Sequence, residues 1–225
     1  METARTHWER IFATRGPEEV SWFQPHLSRS IELIRAAGVD PALPVIDVGG
    51  GASTLAGDLL AAGFSDVSVL DVSAQALARN RAGLGKASLG EAGLGKAGLG
   101  EAGLGEAGGL VHWIEADITT WRPERHYGLW HDRAMFHFLR EAAAQEAYLA
   151  ALRAATVAGS VVVIAGFALD GPERCSGLPV VRQDPAALAE RLAPVFRAVA
   201  EAREEHVTPA GAVQRFVYGV FRREA

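Results

Sequence analysis

The chain has a single cysteine, Cys175, so no intramolecular disulfide can form and an oxidising compartment would add nothing to its stability. It has no apolar run approaching the roughly 20 residues that a membrane-crossing helix needs. The first residues, Met1–Trp8, lack the apolar stretch of a secretory signal. Nor is there a block of lysines or arginines: 22 basic residues stand against 27 acidic ones, for a net charge of −5. A nucleic-acid-binding surface needs concentrated positive charge to displace counterions from phosphates, so that partner class is not expected. The histidines and acids show no tight metal-ligand spacing, so no metal is expected. These absences point to a soluble, cytoplasmic chain with neither nucleic acid nor membrane as partner; a small-molecule partner and a monomer or weak homodimer are the expectations that remain.

What is present is ordinary globular composition, 49% hydrophobic over 225 residues, which suits one α/β domain better than two small ones. Before residue 44 the pattern is helical, with Trp8, Ile11 and Phe12 on one face and Ile31, Leu33 and Ile34 on another. Val45-Ile46-Asp47-Val48 is an apolar run that stops at three glycines and reads as a buried parallel strand. A helix is expected from Ser53 to Ala62, closed by Gly63. Val67–Asp71 follows as a second strand, completing a βαβ unit. From Gly83 to Ala107 five pentads of the type Gly-Leu-Gly-Lys-Ala repeat. Leucines at that period advance about 140° each on a helix and spiral round it, and glycine disfavours helix. Residues 83–109 are therefore expected to be a flexible insertion. Further strands are predicted at Val111–Ala116, Tyr127–His131 and Ser160–Ala165, with helices over Glu141–Ala154 and from Asp184 to Leu192. Phe196–Glu205 and Val213–Arg222 read as a terminal hairpin, for seven strands in a Rossmann-like, mostly parallel three-layer sandwich.

The glycine turn, Asp47-Val48-Gly49-Gly50-Gly51-Ala52-Ser53, is built for close approach of a ligand to backbone. In dinucleotide folds a third glycine stands three residues after the second, but here that position is Thr54, so the fingerprint is incomplete. Asp47 also sits badly beside a pyrophosphate and well beside an ammonium group. Asp71 lies twenty residues after Gly51, where an acid can accept from both hydroxyls of a ribose; alternatively it caps a loop.

At these residues the chain resembles the class I S-adenosylmethionine-dependent methyltransferases. Asp47, Gly49, Gly50, Gly51 and Ser53 are similar to the family's first motif, which the resemblance places around the methionine portion of the cofactor. Asp71, with Val72 beside it, matches the ribose-binding acid. Glu115-Ala116-Asp117-Ile118 resembles the segment in which an aspartate contacts the adenine amino group and its neighbour packs on the ring. Asp132 matches the fourth motif, facing the methionine end and the substrate. Trp8-Glu9 and Ser21-Trp22-Phe23-Gln24-Pro25-His26 look like the cofactor-capping segment (here 1–43) of small bacterial methyltransferases related to the thiopurine and thiol group. His131–Leu139 is similar to that group's Asp-Arg segment, though a related pattern occurs among protein lysine methyltransferases.

Transfer from a sulfonium is an in-line displacement, and the protein supplies orientation, desolvation and, where needed, a base. A thiol hardly needs a base, whereas an ammonium must first lose a proton. The expected acceptor is a small nucleophile, a thiol or related soft atom. Alternatives are a protein lysine, or a non-catalytic cofactor-binding module; a nicotinamide dehydrogenase is disfavoured by Thr54. Candidates for the reacting end are His131, Asp132, Arg133 and His137, with Trp22 and Phe23 as pocket walls. Each has a structural alternative: satisfied core histidines, a paired arginine, packed aromatics.

Overall fold

The computed structural model of the chain describes residues 3–88 and 111–225. Two helices, α1 (Ala4–Thr14) and α2 (Ser28–Ala36), precede the sheet, and Gly38, at φ +67°, turns the chain out of α2. Then β1 (Val45–Val48), α3 (Leu55–Ala61), β2 (Val67–Asp71), α4 (Ala74–Ser88) and β3 (Val111–Glu115) follow. After these come β4 (Leu129–Arg133), α5 (Ala142–Ala155), β5 (Val161–Phe167), β6 (Arg174–Cys175) and β7 (Leu178–Pro179). The described chain closes with α6 (Pro185–Leu192), β8 (Phe196–Val207) and β9 (Val213–Arg223). Seven strands form one sheet in the order β3-β2-β1-β4-β5-β9-β8. The first five are parallel, and β9 and β8 run antiparallel as the expected terminal hairpin.

Alternation along each strand assigns side chains to two layers. Val45, Leu129, Val161 and Val163 face the layer of α2 and α3. Ile46, Trp130, Val162 and Ile164 face the layer of α5 and α6. β5 is buried along its whole length because it is covered on both faces, which is why it reads as an unbroken apolar run. Burying each large side chain of this kind contributes about 1.5–3 kcal/mol. No helix among the described residues is long and apolar enough to cross a membrane.

Two sequence expectations are corrected. The fourth strand begins at Leu129, two residues later than predicted, and extends through Arg133. Tyr127 instead donates its N–H to Ala155 and Gly128 donates to Pro44, while a Cβ at Gly128 would lie 2.6 Å from Leu43. These residues dock on the end of α5 and on the loop before β1, ahead of the ladder. The second correction concerns the repeat. Helix α4 runs through the first pentad to Ser88, so Gly83–Ser88 is helical rather than a flexible excursion. An N-cap bond from the Ala76 N–H to Ser73 Oγ starts this helix, and Leu84 packs against Gly57 of α3. One leucine can find a groove even where five in succession could not share one face. The remaining pentads lie outside the described residues.

The β6–β7 pair was not anticipated. Ser176 and Gly177 both have positive φ, 50° and 79°, as the tightest two-residue hairpin turns require. The Ser-Gly dipeptide was the available signal.

Candidate functional site

In a parallel sheet, ligands bind beyond the carboxyl ends of the strands where the strand order reverses. Here the reversal falls between β1 and β4, and a cavity of about 240 Å³ opens at that point. Its floor includes Asp47 on β1 with Gly49 and Gly50 after it, and Asp71 at the end of β2 with Val72 after it; Ala116, Asp117 and Ile118 follow β3 at one side. Trp8, Phe12, Trp22 and Phe23 cover it from the N-terminal segment.

The glycine turn leaves no room for side chains. A Cβ at Gly49, which has φ +74°, would lie 2.5 Å from Met135 Cβ. At Gly50 it would lie 2.1 Å from Asp47 Oδ2, and at Gly51 2.6 Å from Asp71 Cγ. Gly51 itself is not on the cavity wall: its N–H donates to Asp71 Oδ2 at 3.0 Å and so positions that acid. Ser73 N–H donates to Asp71 Oδ1 at 2.8 Å. Both oxygens of Asp71 are thus held by backbone donors while the side chain borders the cavity. Burial pushes its carboxyl up to about 6, against the lowering effect of the backbone N–H groups of Ser73, Gly51 and Val72. Asp117 accepts from Thr119 N–H and Oγ1 at 2.9 and 2.7 Å through Oδ1. Ser53 lines the same cavity, and its Oγ accepts from Leu55 N–H at 3.0 Å at the start of α3.

The residues expected at the reacting end separate. Arg133 lines the cavity, but His131, Asp132 and His137 are fully buried and lie off its wall. Strand alternation explains the split between neighbours. His131 points to the α2 layer, where Nδ1 is 2.7 Å from Asp47 Oδ1 and Nε2 is 2.9 Å from Ser30 Oγ. Asp132 points the other way and accepts from Met135 N–H, Phe136 N–H and the Tyr148 hydroxyl at 2.8, 3.0 and 2.9 Å. Burial pushes its carboxyl up to about 7. It ties the chain reversal after β4, at Ala134 with φ 71°, to α5. His137 sits between Phe138 and Phe167, with ring centroids 4.4 and 5.0 Å away, and burial pushes it down to about 3. Both ring nitrogens are buried without a hydrogen-bond partner.

Arg133 is seated by the terminal hairpin. Nε donates to the Tyr218 hydroxyl at 3.0 Å, Nη2 to Glu204 Oε2 at 3.3 Å, and the guanidinium carbon lies 4.1 Å from the Phe216 ring centroid. Tyr218 in turn donates to Glu204 at 2.6 Å. Burial would raise the Glu204 carboxyl, but the Arg133 charge and the bonds from Tyr218 and Gln24 outweigh it and hold it below its ordinary value. Gln24 also donates to His206 Nδ1 at 3.1 Å, and His206 Nε2 donates to the Ser21 carbonyl at 2.7 Å. The covering segment is thereby latched onto β8.

Sequence reasoning missed part of the aromatic wall. Trp8 meets Phe138, Trp22 and Phe12 at centroid distances of 5.0, 5.8 and 6.0 Å. Phe138 and Leu178 come from segments after β4 and β5 whose orientation no periodicity reveals. Cys175 also reaches the cavity on β6, and burial pushes its thiol up to about 11. Among the described residues, no group of three or more histidines, cysteines or acids is arranged to hold a metal ion.

No family model and no curated protein sequence matches the chain. Solved structures do. A SAM-dependent methyltransferase from Anabaena variabilis superposes with a TM-score of 0.68 at 15% identity, covering 99% of this chain and 96% of that one. The Burkholderia thailandensis 1,6-didemethyltoxoflavin-N1-methyltransferase, with its substrate and S-adenosylhomocysteine bound, gives 0.65 at 18% identity over 98% and 87%. The N-methyltransferase NodS from Bradyrhizobium japonicum, in complex with S-adenosylhomocysteine, gives 0.63 at 12% over the whole of both chains. The chain has the Rossmann-like fold of the S-adenosylmethionine-dependent methyltransferases.

Proposed function

We propose that the protein is an S-adenosylmethionine-dependent methyltransferase acting on a small-molecule nucleophile. The observation that carries this reading is the glycine cradle with an acid at each end. Asp47 Oδ2 is buried without a partner at one end, and Asp71, held by backbone donors, borders the cavity at the other. A buried carboxylate oxygen without a donor is costly, and an ammonium group would satisfy it. A ribose diol would fit Asp71, and Val72 and Ile118 stand where an adenine would pack, with Asp117 at its edge. When bound, the cofactor supplies an activated methyl carbon. The chain's residues orient it, exclude water and hold the acceptor. The structures of similar fold with S-adenosylhomocysteine bound support the same reading.

The acceptor half of the cleft is aromatic and contains Arg133, Cys175 and Leu178. No carboxylate among the described residues lines that half; Glu204 stands behind Arg133 and is already paired. An ammonium acceptor would need a base there, so this wall favours a nucleophile that brings its own electron pair, such as a thiolate or related soft atom, over a protein lysine.

Calorimetric titration with S-adenosylhomocysteine and with NAD tests the cofactor; binding of NAD alone would overturn the reading. Tritium transfer from labelled cofactor to thiols, small acids and candidate proteins tests the acceptor. Label on protein lysines alone would overturn the small-molecule part.

A further inference from the structure

On the α2-facing side of β4 and β5, the inward residues Leu129, Val163 and Ala165 are apolar. His131 breaks that pattern at full burial, so packing alone does not account for it. It stands directly across from Asp47 in the β1–β4 ladder. A carboxylate oxygen only accepts, so Nδ1 carries the proton and donates to Asp47 Oδ1 across 2.7 Å. Nε2 is then left to accept from the Ser30 hydroxyl at 2.9 Å. Ser30 is itself fully buried on α2. Three buried polar residues from three elements thus form one chain, and it ends on the only Asp47 oxygen that has a partner.

With one oxygen held by His131, the plane of the Asp47 carboxyl is fixed and its other oxygen is kept beside Gly50, 2.1 Å from where a Cβ would stand. We propose that Ser30 and His131 are positioning residues, a relay that holds the free oxygen of Asp47 ready for the ammonium group at the methionine end of the cofactor. The relay rests on the cofactor reading given above. It also replaces the role of proton acceptor for His131: both ring nitrogens are engaged and the ring does not reach the cavity.

The test compares S-adenosylhomocysteine with 5′-methylthioadenosine, which keeps the adenosine but lacks the amino-acid portion. Both are titrated calorimetrically into the full chain, with circular dichroism as a check on folding. His131→Leu is expected to weaken S-adenosylhomocysteine by about tenfold or more while methylthioadenosine shifts by less than about twofold. His131→Asn, whose amide N–H can stand in for Nδ1–H, is expected to recover most of the loss. Ser30→Ala, which removes only the far end of the relay, is expected to cost about threefold on S-adenosylhomocysteine alone. Should His131→Leu misfold, the His131→Asn and Ser30→Ala pair carries the same comparison. Equal losses for both ligands, or an unchanged affinity for S-adenosylhomocysteine, would overturn the relay alone. A wild-type chain that binds neither ligand would overturn the cofactor reading, and the relay with it.

Discussion

The two halves of the cleft, proposed to hold cofactor and acceptor, are built by different rules. The first comes from consecutive strand ends: Asp47 on β1 with the glycines after it, Asp71 at the end of β2, and Ala116 to Ile118 after β3. Backbone N–H groups hold Asp71, Thr119 holds Asp117 within its own turn, and His131 on the neighbouring strand holds Asp47. The acceptor half is assembled across the fold. Trp8 and Trp22 arrive from the N-terminal segment, Phe138 from the turn after β4, and Cys175 from the short β6–β7 hairpin. Arg133 is held by Tyr218 and Glu204, which lie 85 and 71 residues away in sequence. One half is local and preorganised; the other depends on tertiary packing.

If this division is right, substitutions in the two halves should fail differently. The largest effect is expected from Asp71→Ala, which removes the acceptor for a ribose diol. Affinity for S-adenosylhomocysteine should fall by about a hundredfold in calorimetry, from the loss of two hydrogen bonds to a charged group. Arg133→Met should leave that affinity within about threefold while raising KM for the acceptor about tenfold. It should also lower the melting temperature, because Glu204 loses its cation in a largely buried site; breaking such a pair costs about 3–5 kcal/mol. A large loss of cofactor binding in Arg133→Met would erase the distinction between the halves.

The acids of the floor give a pH dependence. Burial raises Asp71 from 3.8 to about 6 and Asp132 from 3.8 to about 7. In both cases the folded value lies above the unfolded one, so the folded chain retains protons that the unfolded chain releases. With respect to these two groups, the stability of the free chain is greatest below about pH 4 and falls as the pH rises to about 7. Denaturant titrations across that range should show the decline, and Asp132→Asn should flatten its upper part. Binding runs the other way: a protonated Asp71 loses an acceptor site, so affinity for S-adenosylhomocysteine should weaken below about pH 6. The smallest effect is expected at Cys175, whose thiol burial holds near 11. Cys175→Ser should change turnover by less than about twofold, and iodoacetamide should label the native chain slowly at pH 7.5.

The same division decides what could be read from the sequence. β1 and β2 have the predicted limits, and Asp184 caps α6 as expected, its carboxylate accepting from Ala186 N–H at 3.0 Å. These features depend on a few adjacent residues. The placements of His131, Asp132 and His137 did not follow, because a strand pattern shows that neighbours point oppositely but not which layer holds the cavity. Arg133 carried no sign of its hairpin partners, and α4 outlasted its own glycines because Leu84 found a place against α3. Local chemistry is written locally; orientation is a property of the assembled sheet.

The long β8–β9 hairpin supplies every side chain that seats Arg133: Glu204, Phe216 and Tyr218. It supplies none of the residues around the glycine turn. No residue of β8 or β9 lines the cavity, so the hairpin acts on it from behind, through the two lining residues it holds, Arg133 and Gln24. A change at Glu204 or Tyr218 would therefore re-aim a cation in the cleft while leaving every wall residue in place.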